Sequence, residues 1–225
     1  RLRMLRAIRF ATVLGFGIQE DCWEALLEHS KSIHDVSPER IRVELEKMMR
    51  HPRRELAYHL LTDCGLMKEI LPEVHSMRNV AQPPQFHPEG DVHIHTGLVL
   101  SHLKEPSFAL AMGALFHDIG KPRTYTLTDG IRFNLHEQVG ALMADEICVR
   151  LKFSKKEREE VVYYVKKHMI LPALPQMRVA KQKRLFAEEH FPTLIKLCTA
   201  DCMGAHRDTS CAEIATKLYA DFLAT

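Results

Sequence analysis

Apolar residues recur every three or four positions along most of the chain, the spacing that places them on one face of an α-helix. The first such stretch covers residues 1–14 and is stopped by Gly15 and Gly17, and a second covers 19–29. Glycine is sparse, with 10 copies in 225 residues. The pattern therefore predicts a predominantly helical protein.

A strong helix start lies at Ser37, Pro38 and Glu39. Ser caps a helix, Pro suits the first turn, and Glu is favoured at the positive end of the helix dipole. This helix is predicted to end near Arg50, and a fourth is predicted at about 53–63. Such closely linked helices are typical of a small bundle.

The composition changes at 73–90, where three prolines forbid a continuous helix. We place a linker in this segment. It separates a helical bundle at 1–72 from a second domain at 91–225.

The second domain is predicted to contain helices and one hairpin. The helices are expected at about 91–103, 107–118, 137–151, 154–167, 180–189, 193–205 and 209–223. Segments 125–128 and 131–133 flank an Asp-Gly pair, which is a type I′ turn signal. Ser154 and Glu157 fit a capping box. The predicted fold class is all-α with one small β-hairpin.

The overall composition is that of an ordinary globular domain. Hydrophobic residues make up 46% and charged residues 27%, which excludes a disordered or fibrous chain. Apolar runs fall short of the roughly 18 residues that a membrane span needs. The net charge of +2 does not by itself indicate a nucleic-acid-binding protein. The six cysteines lack zinc-site spacing and are expected to be free thiols in a reducing cytoplasm.

Histidine is the unusual residue, with 14 copies against an even share of about 11. The most specific string is His117-Asp118, followed by Ile, Gly and Lys121. An imidazole and a carboxylate near a helix end can reach one cation, and they suit Mn, Fe, Ni, Zn or, less well, Mg. One pair is not a site, so further ligands must come from elsewhere. The candidates are His95, His136, His168 and Asp201.

This order of residues resembles that of the HD phosphohydrolase superfamily. The resemblance implies a divalent ion held by His95, His117, Asp118 and Asp201. It also implies that His136 and His168 hold a second ion or face the substrate. Lys121 would contact a substrate phosphate, so that His117, Asp118 and Lys121 form the expected catalytic set. Such ions activate water and neutralise phosphate charge.

Each position also has a structural interpretation. A histidine at a helix end is often a partnered structural residue, and Asp118 could pair with a neighbouring base. Asp201 lacks a specific local string. His93 is the nearest rival to His95, although the His-Thr before the apolar run matches the superfamily. His87 could line the mouth of the site, and a structural role in its loop is expected.

Arg3, Arg6 and Arg9 follow one ridge of the first helix because they are spaced by three. A basic ridge on a helix with a buried face can bind phosphate or a base edge. The alternative is a solvated stripe of charge.

Residues 3–11 and 37–45 resemble the neck of bacterial tRNA nucleotidyltransferases and poly(A) polymerases, which add CCA or A to RNA 3′ ends. The likeness covers nearly the whole chain and thins after about residue 175. Many of these enzymes carry an HD domain after the neck. The resemblance implies nucleotide binding by Arg3 and Arg6. It implies RNA binding by Arg9 and Arg40.

The magnesium-binding head of that family is missing, because the chain has no Gly-Ser start and no Asp-x-Asp pair on a strand. The chain starts with Arg1 inside a helix, so we expect a piece of a longer protein whose head lies in cis. The resemblance implies a cytoplasmic protein that binds tRNA or another RNA 3′ end and nucleotides, without a membrane.

The leading hypothesis is the carboxyl-terminal part of an RNA 3′-end-processing enzyme, with an HD domain that hydrolyses cyclic phosphates, 2′-nucleotides or phosphomonoesters. One alternative is a standalone HD phosphohydrolase that acts on a free nucleotide. Another is a non-catalytic body that binds RNA or dimerises. Further basic candidates for RNA contact are Lys152, Lys155, Lys156 and Arg158.

Overall fold

The computed structural model describes residues 1–127 and 129–224. The amino-terminal part is a set of helices that follow each other through short turns. They are α1 (Leu2–Leu14), α2 (Glu20–His29), α3 (Pro38–Met49), α4 (Arg54–Asp63), α5 (Leu66–Ile70) and α6 (Pro72–His75). A 3₁₀ helix at Ser30–Asp35 joins α2 to α3. The predicted starts and ends of the four longer helices agree closely with these bounds, whereas the short elements have too few turns to give a periodic signal.

The carboxyl-terminal part is also helical, apart from one hairpin. Its elements are α7 (Val92–His102), α8 (Phe108–Phe116), α9 (Lys121–Thr124), β1 (Tyr125–Thr126), β2 (Arg132–Phe133), α10 (His136–Arg150), α11 (Lys155–Lys167), α12 (Val179–Phe186), α13 (Phe191–Gly204) and α14 (Ser210–Leu223). A 3₁₀ helix at Leu171–Gln176 precedes α12. The all-α class with one small hairpin is confirmed. Among the described residues, every helix is too short or too polar to cross a membrane.

The hairpin is shorter than its sequence pattern predicts. Tyr125 pairs with Phe133 and Thr126 pairs with Arg132 in antiparallel register. Asp129 and its following glycine both have positive φ. The pairing of Thr126 with Arg132 leaves residues 127–131 between the strands, so the connection is longer than the predicted two-residue type I′ turn. Thr128, which belongs to the predicted first strand, lies outside the described residues.

The predicted helix caps have different outcomes. The capping box at Ser154 and Glu157 is present, with reciprocal side-chain and backbone contacts. Ser37 has the extended backbone of a cap and Pro38 occupies the first turn of α3, but the Ser37 side chain makes no capping hydrogen bond. The helix start predicted at Ser37 is therefore confirmed, and only the side-chain hydrogen bond expected of a capping serine is not formed. Asp91 caps α7, because its side chain accepts hydrogen bonds from the backbone N–H groups of His93 and Ile94.

Arg54 joins the amino-terminal helices to α7. Its guanidinium is almost fully buried and donates to the carbonyl oxygens of Met49, Leu100 and Leu103 at 2.9, 3.1 and 2.5 Å. The last two carbonyls lie at the end of α7, where helix carbonyls have no partner within the helix. One buried side chain therefore satisfies backbone groups on both sides of this interface.

The core is continuous across the same interface. Arg42 of α3 pairs with Glu157 of α11, and its guanidinium lies over the rings of Phe108 and Phe153. All residues of α8 are buried. Because α8 runs through the middle of this part, its carboxyl end delivers the His-Asp pair into the interior.

Candidate metal centre

Four histidines and two aspartates from separate elements converge in the interior. His95 lies on the second turn of α7, His117 and Asp118 follow α8, and Asp201 lies on α13. His136 is the first residue of α10, and His168 follows α11 directly. The four imidazoles are buried, as is Asp118. The six residues predicted as metal ligands therefore lie together.

Asp118 divides these residues into two sets. Its Oδ2 atom faces His95 and His117, which Asp201 also approaches, and we call these four residues the carboxylate side. The Oδ2 atom is 3.2 Å from His117 Nε2 and 4.0 Å from His95 Nε2. Asp201 Oδ1 is 2.9 Å from His95 Nε2 and 3.9 Å from His117 Nε2. Ligand atoms about 2.1 Å from one ion are roughly 3.0–4.2 Å from each other, so these separations suit a shared cation.

The Oδ1 atom of Asp118 faces the other two histidines, which we call the imidazole side. It is 3.4 Å from His136 Nε2 and 3.8 Å from His168 Nε2. The two Nε2 atoms are 3.2 Å apart. These three atoms also have the mutual separations of ligands around one ion.

The hydrogen bonds of three imidazoles decide which nitrogen faces inward. The Nδ1 atoms of His117, His136 and His168 lie 2.7, 2.9 and 2.7 Å from the carbonyl oxygens of Ala114, Phe133 and Val165. Each Nδ1 must donate to its carbonyl, so each neutral ring presents the Nε2 lone pair to the centre.

Lone pairs that face each other or face a carboxylate oxygen repel, and a cation between them removes that repulsion. Nε2 of His117 is buried without a hydrogen-bond partner among the described residues and faces a carboxylate oxygen. Nε2 of His136 and Nε2 of His168 face each other in the same way. The donor set of imidazole nitrogens and carboxylate oxygens fits a divalent transition metal on both sides.

The charges of the two sides differ. Burial opposes protonation of His95, but the contacts with Asp201 and Glu89 outweigh it and raise its pKa to about 9. Burial also opposes ionisation of Asp118 and Asp201, yet the surrounding histidines, with Lys121 beside Asp118, lower the pKa of both carboxyls. On the imidazole side, burial is the main reason that the pKa of His168 is lowered to about 3, and the nearby His117 acts in the same direction.

Lys121 lies beside the centre and is almost fully buried. Its Nζ atom is 2.7 Å from Asp118 Oδ2 and donates to Gln82 Oε1 at 2.5 Å. Phe133 of the hairpin covers it, with the ammonium 5.3 Å from the ring centroid. Sequence reasoning did not identify Gln82, because a glutamine in a proline-containing loop gives no specific signal.

A cavity of about 600 Å³ opens onto the centre. Asp118, Lys121, His136, His168 and Asp201 line its inner wall. The hairpin, the loop before α7, the end of α13, the loop that follows it and the start of α14 contribute further lining residues. These residues include Phe86, His87, Phe133, Cys202, His206 and Cys211.

His87 and Glu89 extend the centre into the loop before α7. Glu89 Oε1 lies 2.9 Å from His87 Nδ1 and 2.7 Å from His95 Nδ1. Burial opposes ionisation of Glu89, but these two histidines outweigh it and lower its pKa. His87 therefore has the structural role expected in its loop, and its ring also lines the cavity. A Pro-x-Gly context marks a turn and gives no sign of this contact.

His93, the rival to His95, points elsewhere. It forms a hydrogen bond with the hydroxyl of Tyr58 on α4. Burial and the charge of Arg78 lower its pKa to about 4. The ring therefore belongs to the interface with the amino-terminal helices and is remote from the ligand set.

Gly120 allows α10 to approach the His-Asp turn closely. A Cβ atom at this position would lie 2.1 Å from the carbonyl oxygen of His136 and 2.8 Å from the amide nitrogen of Gly140. Both are backbone atoms of α10, which cannot move aside without moving the helix. The glycine of the motif therefore sets the position of His136.

The predicted nucleotide and RNA contacts lie on the amino-terminal helices. Arg3, Arg6 and Arg40 are exposed. Arg9 is half-buried and pairs with Glu44 of α3 at 2.6 Å, so this guanidinium also links two helices. A cavity of about 490 Å³ between α1 and α2 is lined by Arg3 among others. Their roles in binding remain predictions.

The chain matches two family models in succession. Residues 15–78 match the family described as the probable RNA and SrmB-binding site of polymerase A, and residues 92–202 match the HD domain. It is 30% identical over 219 residues to the Multifunctional CCA protein of Tolumonas auensis, covering 90% of this chain and 53% of that protein.

Other relatives give the same result. The chain is 30% identical to the Multifunctional CCA protein of Laribacter hongkongensis, covering 95% of this chain and 56% of that protein. It is 29% identical to the protein of that name from Xanthomonas campestris, with coverages of 90% and 53%. The chain spans about half the length of the curated relatives it matches. The chain therefore carries a region that matches the RNA-binding site of polymerase A, followed by an HD domain, and over nearly its whole length it is similar to proteins named Multifunctional CCA protein.

Proposed function

We propose that this chain is the phosphoester-hydrolysing part of an RNA 3′-end-processing protein. The observation that carries the proposal is the bridging position of Asp118, whose two oxygens face two separate sets of metal-ligand atoms. Two-metal sites in phosphatases and nucleases hold their ions about 3.5–4 Å apart, which is the scale of one bridging carboxylate.

The carboxylate side would hold one ion through His95, His117 and Asp118, with Asp201 as a fourth ligand, since its Oδ1 atom lies near the Nε2 atoms of both histidines. The imidazole side would hold a second through Asp118, His136 and His168. A divalent ion bound here polarises a phosphoryl oxygen and supplies hydroxide at neutral pH.

The side chains around the centre have separate tasks in this proposal. Lys121 carries a fixed positive charge next to Asp118, where it would attract a phosphate oxygen as a point charge. Phe133 and Pro83 on the cavity wall would exclude water from the phosphoryl group. Cyclic phosphates, 2′-nucleotides and phosphomonoesters are the proposed substrates, since each presents a phosphoryl group small enough for the cavity.

The test combines metal analysis with turnover. The purified chain is dialysed, its bound metals are measured, and hydrolysis of a 2′,3′-cyclic nucleotide, a 2′-nucleotide and p-nitrophenyl phosphate is followed with Mn²⁺, Ni²⁺ or Mg²⁺. His117→Ala should abolish turnover, whereas His34→Ala, an exposed histidine, should not change it. Absence of both bound divalent ions and metal-stimulated hydrolysis in the wild-type chain would contradict the proposal.

We also propose that the amino-terminal helices bind RNA and a nucleotide. The match at 15–78, which includes Arg40, supports the RNA part of this proposal. Arg3 and Arg6 would contact the nucleotide, and Arg9 and Arg40 would contact RNA. The expected partners of the longer protein are tRNA or another RNA 3′ end, with magnesium in a head domain in cis and a cytoplasmic location. Salt-dependent tRNA binding that weakens in Arg3→Ala and Arg40→Ala tests this second role, because each lost phosphate contact lowers the salt dependence.

The carboxyl-terminal basic residues provide the comparison for this second test. Arg158 is paired with Asp145 at 2.5 Å, and Lys155 lies 3.8 Å from Glu159. Lys152 and Lys156 are exposed. If alanine at Lys155 and Lys156 weakens tRNA binding and alanine at Arg3 and Arg40 does not, the RNA lies on the HD part.

A further inference from the structure

One of the four ligand histidines is held differently from the others. Three of them lie at helix ends: His136 begins α10, and His117 and His168 directly follow α8 and α11. The Nδ1 atom of each forms a hydrogen bond with the carbonyl oxygen three residues before it. His95 lies within α7, where the preceding carbonyls are already used. The carbonyl oxygen of Asp91 accepts from the His95 amide, and that of Val92 accepts from the Thr96 hydroxyl.

A side chain replaces the missing carbonyl at His95. Glu89 Oε1 lies 2.7 Å from His95 Nδ1, and the Glu89 side chain is almost fully buried. The same oxygen accepts from His87 Nδ1 at 2.9 Å. Glu89 Oε2 and His95 Nδ1 are both buried without a hydrogen-bond partner among the described residues, so the 2.7 Å contact of Oε1 with Nδ1 is an ion pair. The contacts of Oε1 with the two imidazoles offset the cost of burying the Glu89 charge.

The loop is built to place this carboxylate. An isolated bridge between Ala81 and Asp91 closes it, and Gln82 N–H donates to the Gly90 carbonyl oxygen. Gly90 has φ of 80°, a left-handed conformation that a side chain would strain. The chain reverses directly after Glu89, which directs the carboxylate back toward α7.

We propose that Glu89 is the positioning residue of the carboxylate side: it keeps the proton on His95 Nδ1, so that Nε2 is the ligand atom, and it anchors His87 on the cavity wall. This role rests on the proposed metal centre. Carboxylate partners of ligand histidines fix ring orientation and raise ligand basicity, and their loss typically costs 10–100-fold in metal affinity.

The experiment measures metal binding without turnover. The EDTA-treated chain is titrated with Co²⁺ by calorimetry and by visible absorption, which reports the ligand field. Glu89→Ala should weaken Co²⁺ binding about 10–100-fold on the carboxylate side and alter its absorption bands. The Co²⁺ affinity of Glu89→Gln should lie between those of the wild type and Glu89→Ala, because the amide oxygen still accepts a hydrogen bond but carries no charge. Since Gln has the shape of Glu, this variant carries the test if Glu89→Ala fails to fold.

Two controls separate the carboxylate contact from general damage. Glu69→Ala removes a carboxylate that pairs with a histidine, His34, far from the centre, and should bind Co²⁺ like the wild type. His87→Ala disturbs the loop but keeps the Glu89 contact with His95, so its affinity should stay close to that of the wild type. Equal weakening in His87→Ala and Glu89→Ala would overturn the role, because loop structure would then set the affinity.

The remaining outcomes separate this role from the proposed function. Wild-type binding with an unchanged affinity in both Glu89 variants would overturn the role of Glu89 alone. A wild-type chain that binds no Co²⁺ would overturn both.

Discussion

The two sides of Asp118 differ in how the charges and lone pairs of their buried ligand atoms are compensated. The carboxylate side brings Asp118 and Asp201 together with two imidazoles and is supported by Glu89, so in the absence of a metal His95 carries a proton that balances the acids. The imidazole side has no acid of its own and keeps His168 neutral by burial. A proton on His95 can balance the carboxylate side without a metal, whereas the Nε2 lone pairs of His136 and His168 face each other beside the cavity and favour a cation between them.

The largest effect is expected from Asp118, because both sides use it. Asp118→Asn should remove bound metal from both sides and lower hydrolysis by at least about 10²-fold, the scale of losing one preorganised electrostatic group. Metal analysis after dialysis and steady-state turnover measure the change. Asp35→Asn, an exposed carboxylate that pairs with Arg1, is the matched control and should match the wild type. Retention of one full equivalent of metal by Asp118→Asn would show that the sides do not share this residue.

Single-side variants should separate the two sites. Asp201→Ala removes a ligand from the carboxylate side, and His168→Ala removes one of three from the imidazole side. Each should lower bound metal by about one equivalent and leave the other side filled, although more weakly than in the wild type, because the two sides share Asp118 and residues with a common partner are coupled. Inductively coupled plasma mass spectrometry gives the stoichiometry. If either variant loses all metal, the centre behaves as one unit.

The pH dependence should differ between metal-free and metal-loaded protein. The pKa of His95 is about 9 in the folded chain and 6.5 when unfolded, so its contribution is fully present below pH 6.5 and is lost as pH rises through 9. A shift of this size corresponds to about 3 kcal/mol. The Tm of the EDTA-treated chain should fall between pH 6.5 and 9.

A bound metal should remove this alkaline loss, because it replaces the proton on His95 and binds more tightly as competing protons leave. Thermal melts with EDTA and with Mn²⁺ across this range give the comparison. His168 acts in the opposite direction. Its pKa of about 3 in the folded state means that its contribution falls as pH drops below 6.5. An EDTA-treated chain whose Tm stays constant up to pH 9 would contradict the charge assigned to His95.

A smaller effect is expected at Gly120, which acts on the imidazole side alone. Gly120→Ala places a methyl group against the backbone of α10 and should cost about 1–3 kcal/mol. Because His136 begins α10, metal affinity on that side should weaken as well. Gly17→Ala, where a Cβ meets nothing within 4 Å, is the control. Urea unfolding and metal titration measure both effects, and a Gly120→Ala chain with normal stability would contradict the close approach.

Local sequence signals explain how far the site was predictable. The His-Asp doublet is adjacent in sequence, and the remaining ligands, from His95 to Asp201, occur in an order that resembles the HD superfamily. These two signals are the reason that all six ligands could be predicted from the sequence. Glu89 was not predictable, because its contact with His95 depends on the closure of a loop whose prolines and glycine indicate only a turn.

The fold shows the same division. Long amphipathic helices such as α11 were predicted from periodicity and caps, and the structure agrees within one or two residues. The 3₁₀ helices at Ser30–Asp35 and Leu171–Gln176 were not predicted, since their packing and not their propensity decides them. The linker proposed at 73–90 was inferred from composition. Composition could not predict the contacts of Arg54 with α7 or the hydrophobic core that includes residues on both sides of this segment.

Arg54 has a consequence for how the two parts can diverge. Its partners across the interface are the carbonyl oxygens of Leu100 and Leu103, and every amino acid supplies a carbonyl. The carboxyl-terminal part can therefore change its side chains at these two positions and still present the same acceptors, provided that α7 ends at the same place. The amino-terminal part has no such freedom, because only arginine offers a planar fork of donors that reaches three carbonyls at once. If the two parts are exchanged between relatives, the interface should form when the amino-terminal part keeps the arginine and the carboxyl-terminal part keeps the length of α7.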